Sequence, residues 1–135
     1  MKILIVDDED LIVKSLTKLS LDLGLEVESC YNGQEAVNLV ESGNKYGVIL
    51  MDLSMPVLDG DQATLKIRGM NGGDLINIIL ISGDEFTEEE YKKKGYTDYA
   101  KKPVGKTVFK NLIAKYTSWF LLSNTYFIIN KFAKK

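Results

Sequence analysis

Apolar residues gather into five short runs along the chain: Lys2 to Val6, Leu25 to Cys30, Gly47 to Met51, Ile76 to Ile81 and Tyr96 to Ala100. Their centres lie roughly 20 to 30 residues apart, which leaves room each time for the crossover helix that parallel strands require. The intervals carry helix signals. Asn32 with Glu35 and Thr87 with Glu90 have capping-box spacing, and Gly24 and Gly95 stand where helices over Leu11 to Leu23 and Thr87 to Lys94 should stop. The pattern predicts a βα unit repeated five times.

The make-up of each run sets its place in a sheet. A central parallel strand is covered by helices on both faces and reads as unbroken apolar sequence. Ile3 to Val6, Val48 to Met51 and Ile76 to Ile81 do so, whereas Leu25-Glu26-Val27-Glu28 alternates and Tyr96-Thr97-Asp98-Tyr99 is half polar. The last two are expected at edges. With right-handed crossovers, an interior first strand and an edge second strand mean that the chain reverses direction after strand two. The expected fold is therefore α/β, a doubly wound five-stranded parallel sheet of flavodoxin-like order 2-1-3-4-5 with helices on both faces. Ligands in such sheets sit beyond the carboxyl ends of the strands, at the switch point between strands one and three.

Four strand ends reach that rim: Asp7-Asp8 after strand one, Asp52 ending strand three, Ser82 after strand four and Lys102 just past strand five. Three carboxylates brought together repel, and an apolar rim screens them poorly, so something positive must offset them. A hard divalent cation with oxygen ligands, together with the Lys102 ammonium, is the simplest answer. Mg²⁺ prefers few protein carboxylates, several waters and a phosphate oxygen. That preference leaves Asp52 able to share one oxygen with the metal and attack phosphorus with the other. The plainer reading makes Asp7, Asp8 and Glu9 a solvated helix start favoured by the helix dipole.

Composition narrows the field. At 135 residues, 45% hydrophobic and 27% charged, the chain can build one domain with a core and is too short for two. Seventeen basic residues against 19 acidic ones leave a net charge of -2, so no positive field is expected to gather nucleic acid. Histidine is absent, which removes Ser-His-Asp and Cys-His catalysis, histidine-ligated metals and a histidine phosphocarrier role. Cys30 cannot pair internally and no basic-then-apolar leader opens the sequence, so a reducing cytoplasmic setting is expected. The apolar runs are too short for a transmembrane segment.

Residues 1 to 117 or so resemble the receiver domain of two-component response regulators. The resemblance rests on Ile5-Val6-Asp7-Asp8-Glu9, on Met51-Asp52-Leu53-Ser54-Met55-Pro56-Val57-Leu58-Asp59-Gly60, on Ile81-Ser82-Gly83 and on Lys102-Pro103. It implies that Asp52 accepts a phosphoryl group from a phosphohistidine on a histidine kinase or histidine phosphotransfer protein. It further implies that Asp7, Asp8, Asp52 and the Ser54 carbonyl hold Mg²⁺, and that Lys102 pairs with the phosphoryl. Ser82 would hydrogen-bond the phosphoryl in the active state, Tyr99 occupies the aromatic switch position, and the Lys-Pro peptide would be cis. Such a chain is a switch rather than an enzyme: slow Mg²⁺-dependent autodephosphorylation is expected, and a downstream protein is addressed through the helix 4, strand 5 and helix 5 face.

Three other readings compete. Ala100-Lys101-Lys102-Pro103-Val104-Gly105-Lys106-Thr107 resembles a nucleotide-binding P-loop, but it lacks the first glycine, and Pro103 removes a backbone N–H that should cradle phosphate. The sheet order also suits a flavin carrier, though Asp7, Asp8, Glu9 and Asp10 would repel a flavin phosphate. A degenerate receiver working only as an interaction module is the third. Gly33, Gly60 and Gly95 read as ordinary turn or cap residues, Cys30 as a core filler, and Asn71-Gly72-Gly73-Asp74 as a flexible loop.

Past Thr117 the family pattern ends. Residues 118–135 form an apolar extension with Trp119-Phe120-Leu121-Leu122, Tyr126-Phe127-Ile128-Ile129 and Phe132. Phe109, Leu112, Tyr116, Trp119 and Tyr126 keep helical spacing, so the segment reads as a continuation of helix 5, or as a tail that folds back, docks a partner or makes a dimer contact. Its lysines also leave shallow membrane association open.

Overall fold

The computed structural model describes residues 1–117, and the extension from 118 onward lies outside them. Strand β1 (Lys2–Val6) leads to α1 (Asp10–Asp22), β2 (Glu26–Cys30), α2 (Gly33–Glu41), β3 (Val48–Asp52), α3 (Gly60–Arg68), a 3₁₀ turn (Gly73–Leu75), β4 (Ile78–Ser82), α4 (Glu88–Lys93) and β5 (Asp98–Lys101). A final helix, α5, occupies 106–117. All pairings are parallel, in the order β2-β1-β3-β4-β5, as the strand make-up predicts. Every residue of β3 and β4 is buried, while β2 and β5 at the edges are mostly not.

The two-residue period of the strands splits the core into two layers. Ile3, Ile5, Val48, Leu50, Ile79 and Ile81 face α1 and α5 through Val13, Leu16, Phe109, Leu112 and Ile113. Leu4, Val6, Ile49, Met51, Ile78 and Leu80 face the other way, onto Ala36, Val37, Ala63, Ile67 and Tyr96. Cys30 fills the second layer, and burial pushes its thiol up to about 12.

Local signals fix the helix ends. Gly24 and Gly95 take φ of 76° and 100°, left-handed values that glycine adopts without steric cost. The Asn32 side chain accepts from Glu35 N, and Thr87 with Glu90 forms a complete capping box. A second complete box, Asp59 with Gln62, starts α3, a spacing the sequence reading leaves unused. The expectation of a flexible loop at Asn71 to Asp74 is corrected: Gly73 to Leu75 form the 3₁₀ turn. Arg68 anchors the surroundings, its guanidinium donating to the carbonyls of Gly73, Ile76 and Gly95 at 2.6–2.7 Å and to Thr97 Oγ1 at 3.1 Å. No helix among the described residues is long and apolar enough to cross a membrane.

Candidate functional site

Parallel pairing sets the carboxyl ends of the strands side by side. Val6 pairs with Met51, Asp52 with Ile81, and Ser82 with Lys101. The residues that follow or close these strands share one rim. Asp7, Asp8 and Asp52 each bring a carboxylate oxygen to within 4.8 Å of the others, a spacing that could hold one metal ion. Asp7 and Asp52 are 1% and 5% exposed, and Asp8 is open to solvent. Asp7 is thus no solvated helix start, contrary to the plainer reading, although its Oδ1 does accept from Glu9 N at 2.9 Å.

Lys102 reaches into this cluster from beyond β5. Its Nζ lies 3.0 Å from Asp52 Oδ1 and 3.0 Å from Asp7 Oδ2, with the exposed Glu9 carboxylate at 4.0 Å. The contact to Asp52 is a hydrogen bond, and the buried Asp7 Oδ2 meets the same ammonium as an ion pair. At an effective dielectric near 20, unit charges 3–5 Å apart interact by roughly 3–5 kcal/mol, so one ammonium does not offset three carboxylates. Burial raises the Asp52 carboxyl above its ordinary range, helped by Asp7 and Asp8 and opposed by Lys102. Burial also pulls the Lys102 ammonium down, but Asp7 and Asp52 outweigh it and hold its affinity for the proton above normal. Oxygen donors only, three carboxylates facing a single ammonium, and two of those carboxylates buried suit a hard divalent cation.

Ser82 closes β4, 5% exposed, and its Oγ accepts from Asp84 N at 3.2 Å. Tyr99 is half-buried on β5, and its hydroxyl donates to the Asp84 carbonyl rather than reaching Ser82. Its ring meets Tyr91 and Phe86 at centroid distances of 5.9 and 5.8 Å. Ser54 is exposed in the loop after β3. The Lys102–Pro103 peptide is cis, and Lys102 N donates to Ser82 O at 2.8 Å.

The ordinary turn or cap reading of Gly33 and Gly60 is corrected. A Cβ on Gly60 would lie 2.2 Å from the Asp52 carbonyl oxygen, and one on Gly33 would lie 2.5 Å from Leu58 O. Both glycines also donate backbone hydrogen bonds into the loop that follows Asp52, Gly60 N to Leu53 O at 2.8 Å and Gly33 N to Leu58 O at 3.0 Å. They allow the close backbone approach that packs α3 and the start of α2 against this loop. Only the bare Asp59-Gly60 spacing hints at it in the sequence. In the same loop Val57 takes φ of 69°, an uncommon backbone for a β-branched residue.

Comparison with known proteins agrees with this geometry. Residues 3–114 match the response regulator receiver domain. The chain is 35% identical over 101 residues to two-component response regulator 24 of Arabidopsis thaliana, covering 75% of this chain and 73% of that protein. It is 32% identical over 122 residues to hybrid signal transduction histidine kinase L of Dictyostelium discoideum, of which it spans 7%. Among solved structures, the receiver domain of a sensor histidine kinase from Pseudomonas aeruginosa, with a magnesium ion coordinated in its active-site cleft, superposes with a TM-score of 0.79 at 28% identity, covering 87% of this chain and 97% of that one. Receiver domains are phosphoacceptor switches rather than typical enzymes. With its matching sheet order and its acidic pocket faced by a lysine, the chain belongs to the response regulator receiver domain family.

Proposed function

We propose that this receiver takes a phosphoryl group from a partner phosphohistidine onto Asp52 and relays the change to a protein target. One observation carries the reading: a buried carboxylate, Asp52, lies at 3.0 Å from a lysine and within 4.8 Å of two further carboxylates. An Asp52 oxygen attacks phosphorus, an O–P bond forms, and the P–N bond breaks as the imidazole leaves neutral, with a proton on its other nitrogen. Mg²⁺ held by Asp7, Asp8 and Asp52, with the Ser54 carbonyl, would supply the charge neutralisation that phosphoryl transfer needs most. Lys102 is within reach to pair with a phosphoryl oxygen once Asp52 is esterified.

The Ser82 hydroxyl can donate to a phosphoryl oxygen, since at present it only accepts from Asp84 N. Tyr99 is tied to the same residue through the Asp84 carbonyl. Moving Ser82 therefore disturbs the hold on Tyr99, and with it the aromatic contacts to Phe86 and Tyr91 beside α4. None of the α4 residues is buried, so little packing resists such a shift. The target surface is accordingly the α4, β5 and α5 face. Slow hydrolysis of the acyl phosphate, with Ser54 and Asp84 flanking the approach of water, would reset the switch.

The test is incubation with acetyl phosphate and Mg²⁺ followed by intact mass measurement. Wild type is expected to gain the mass of one phosphoryl group and Asp52→Asn none. Gain in both would move the acceptor elsewhere, and gain in neither would leave an interaction module that takes no phosphate.

A further inference from the structure

We propose that the chain's own C-terminal segment, residues 118–135, seats in an apolar groove between the α1–β2 turn and α5. The groove encloses about 400 Å³ and is walled by Met1, Leu23, Leu25, Ile113, Ala114 and Thr117. Met1 and Leu23 are among the large apolar side chains left open to solvent, at 36% and 38% exposure. A neighbouring hollow of about 360 Å³, sharing Leu23 and Lys110, continues the groove between α1 and α5. The first groove lies beside Met1 and Leu25, which precede β1 and β2, at the end of the sheet away from the acidic rim.

Two features favour the chain's own segment over a second copy or another protein. Thr117 is itself a wall of the groove, so residue 118 begins at its edge. A tethered segment meets such a surface at an effective concentration in the millimolar range, which a separate molecule has to match with additional contacts. The second feature is composition. The groove is walled mainly by Met1, Leu23, Leu25, Ile113 and Ala114, and the apolar block Trp119-Phe120-Leu121-Leu122 begins two residues past Thr117 in the sequence, so the part of the segment tethered nearest the groove matches it in character. Seated there, the segment leaves Phe86, Tyr91 and Tyr99 uncovered on the far side of the sheet.

Trp119 is the single tryptophan of the chain, so fluorescence of the intact protein reports on the segment directly. At concentrations where sedimentation gives a monomer, its emission is expected at the short wavelengths of a buried indole, with weak quenching by acrylamide. Ala114→Glu and Leu23→Gln in the groove should each move emission to longer wavelength and raise quenching, while Leu75→Gln, on an exposed side chain away from the groove, should change neither. Leu121→Lys, on the segment itself, gives the same readout if a groove variant loses its fold by circular dichroism. Solvent-exposed emission in the wild type would overturn the proposal. So would protection indifferent to the groove and Leu121 substitutions, or protection that appears only as the mass doubles with concentration.

Discussion

Replacing Asp52 with asparagine should make the metal-free protein more stable while removing its capacity to accept phosphate. The side chain keeps its volume and an oxygen that can accept from Lys102. What disappears is a negative charge with one attraction, to Lys102 at 3.0 Å, and two repulsions, from Asp7 and Asp8 within 4.8 Å. At roughly 3–5 kcal/mol for each such pair, these nearly cancel, with repulsion ahead by about 1 kcal/mol, and the cost of burying the ionised carboxylate falls on the same side. The pH sign agrees. The carboxyl pKa is raised in the fold, chiefly by burial, so the stability linked to its protonation is complete below the unfolded pKa and is lost as pH rises through the folded value. At pH 7 the ionised group weakens the fold, and asparagine resembles the neutral form. Urea unfolding in EDTA should show Asp52→Asn more stable by about 1–2 kcal/mol, a midpoint several degrees higher on heating. If Asp52 is one of the Mg²⁺ ligands as proposed, added Mg²⁺ should favour the wild type and close the gap, because a ligand at 100 times its Kd contributes about 2.7 kcal/mol and the variant would lack one of the proposed ligands. A variant less stable than wild type in EDTA, or equal gains from Mg²⁺ in both, would refute the charge balance.

Gly60→Ala should cost about 1–3 kcal/mol of overpacking, since its Cβ would lie 2.2 Å from the Asp52 carbonyl, and should weaken stabilisation by Mg²⁺. Gly69→Ala, whose nearest contact would be 3.5 Å, is the control that should leave denaturant midpoints nearly unchanged. Asp98 is held below the usual carboxylate range: burial alone would raise it, but Tyr116, the Tyr99 N–H and Lys115 together outweigh burial. Its contribution is complete above the unfolded carboxyl pKa near 4 and fades as pH falls through the folded value. Tyr116→Phe should therefore cost about 1.5 kcal/mol in urea melts at pH 7 and progressively less below pH 4.

Much of the fold was legible because burial writes itself into strand composition. Unbroken apolar runs put β1, β3 and β4 at the centre, and the alternation Leu25-Glu26-Val27-Glu28 put β2 at an edge. Strand limits were less legible, since pairing rather than hydrophobicity decides them. The polar Asp52 belongs to β3 because it pairs with Ile81, while Ile76, apolar enough to start β4 on paper, precedes it and gives its carbonyl to Arg68. The Arg68 hub left no trace at all. Its acceptors are mostly backbone carbonyls, which every residue carries, and they are gathered from as far as 29 positions away. The acidic rim was legible for the opposite reason: carboxylates at the ends of adjacent strands are few, and topology dictates their meeting. The hold of Asp84 on both Ser82 and Tyr99 was not, because it runs through main-chain atoms.

The same charge balance bears on how a small chemical change could be felt across the domain. A site of strongly favourable contacts would need a large perturbation to move, whereas one whose attractions and repulsions nearly cancel is tipped by a small one. Esterification of Asp52 would replace a single charge with a phosphoryl group carrying up to two and bearing three acceptor oxygens, facing Lys102 on one side and Ser82 nearby. Differential contacts worth ~1–3 kcal/mol are the ordinary scale of coupling between two sites, comparable to the imbalance at this rim. Only interactions made in the modified form can shift the equilibrium, and the Ser82 hydroxyl, with a proton still to donate, is the group able to make one. Under the proposed function, Asp84, bonded through its N–H to Ser82 and through its carbonyl to Tyr99, would pass the change on by hydrogen bonds, along a route that bypasses the packed core of β3 and β4.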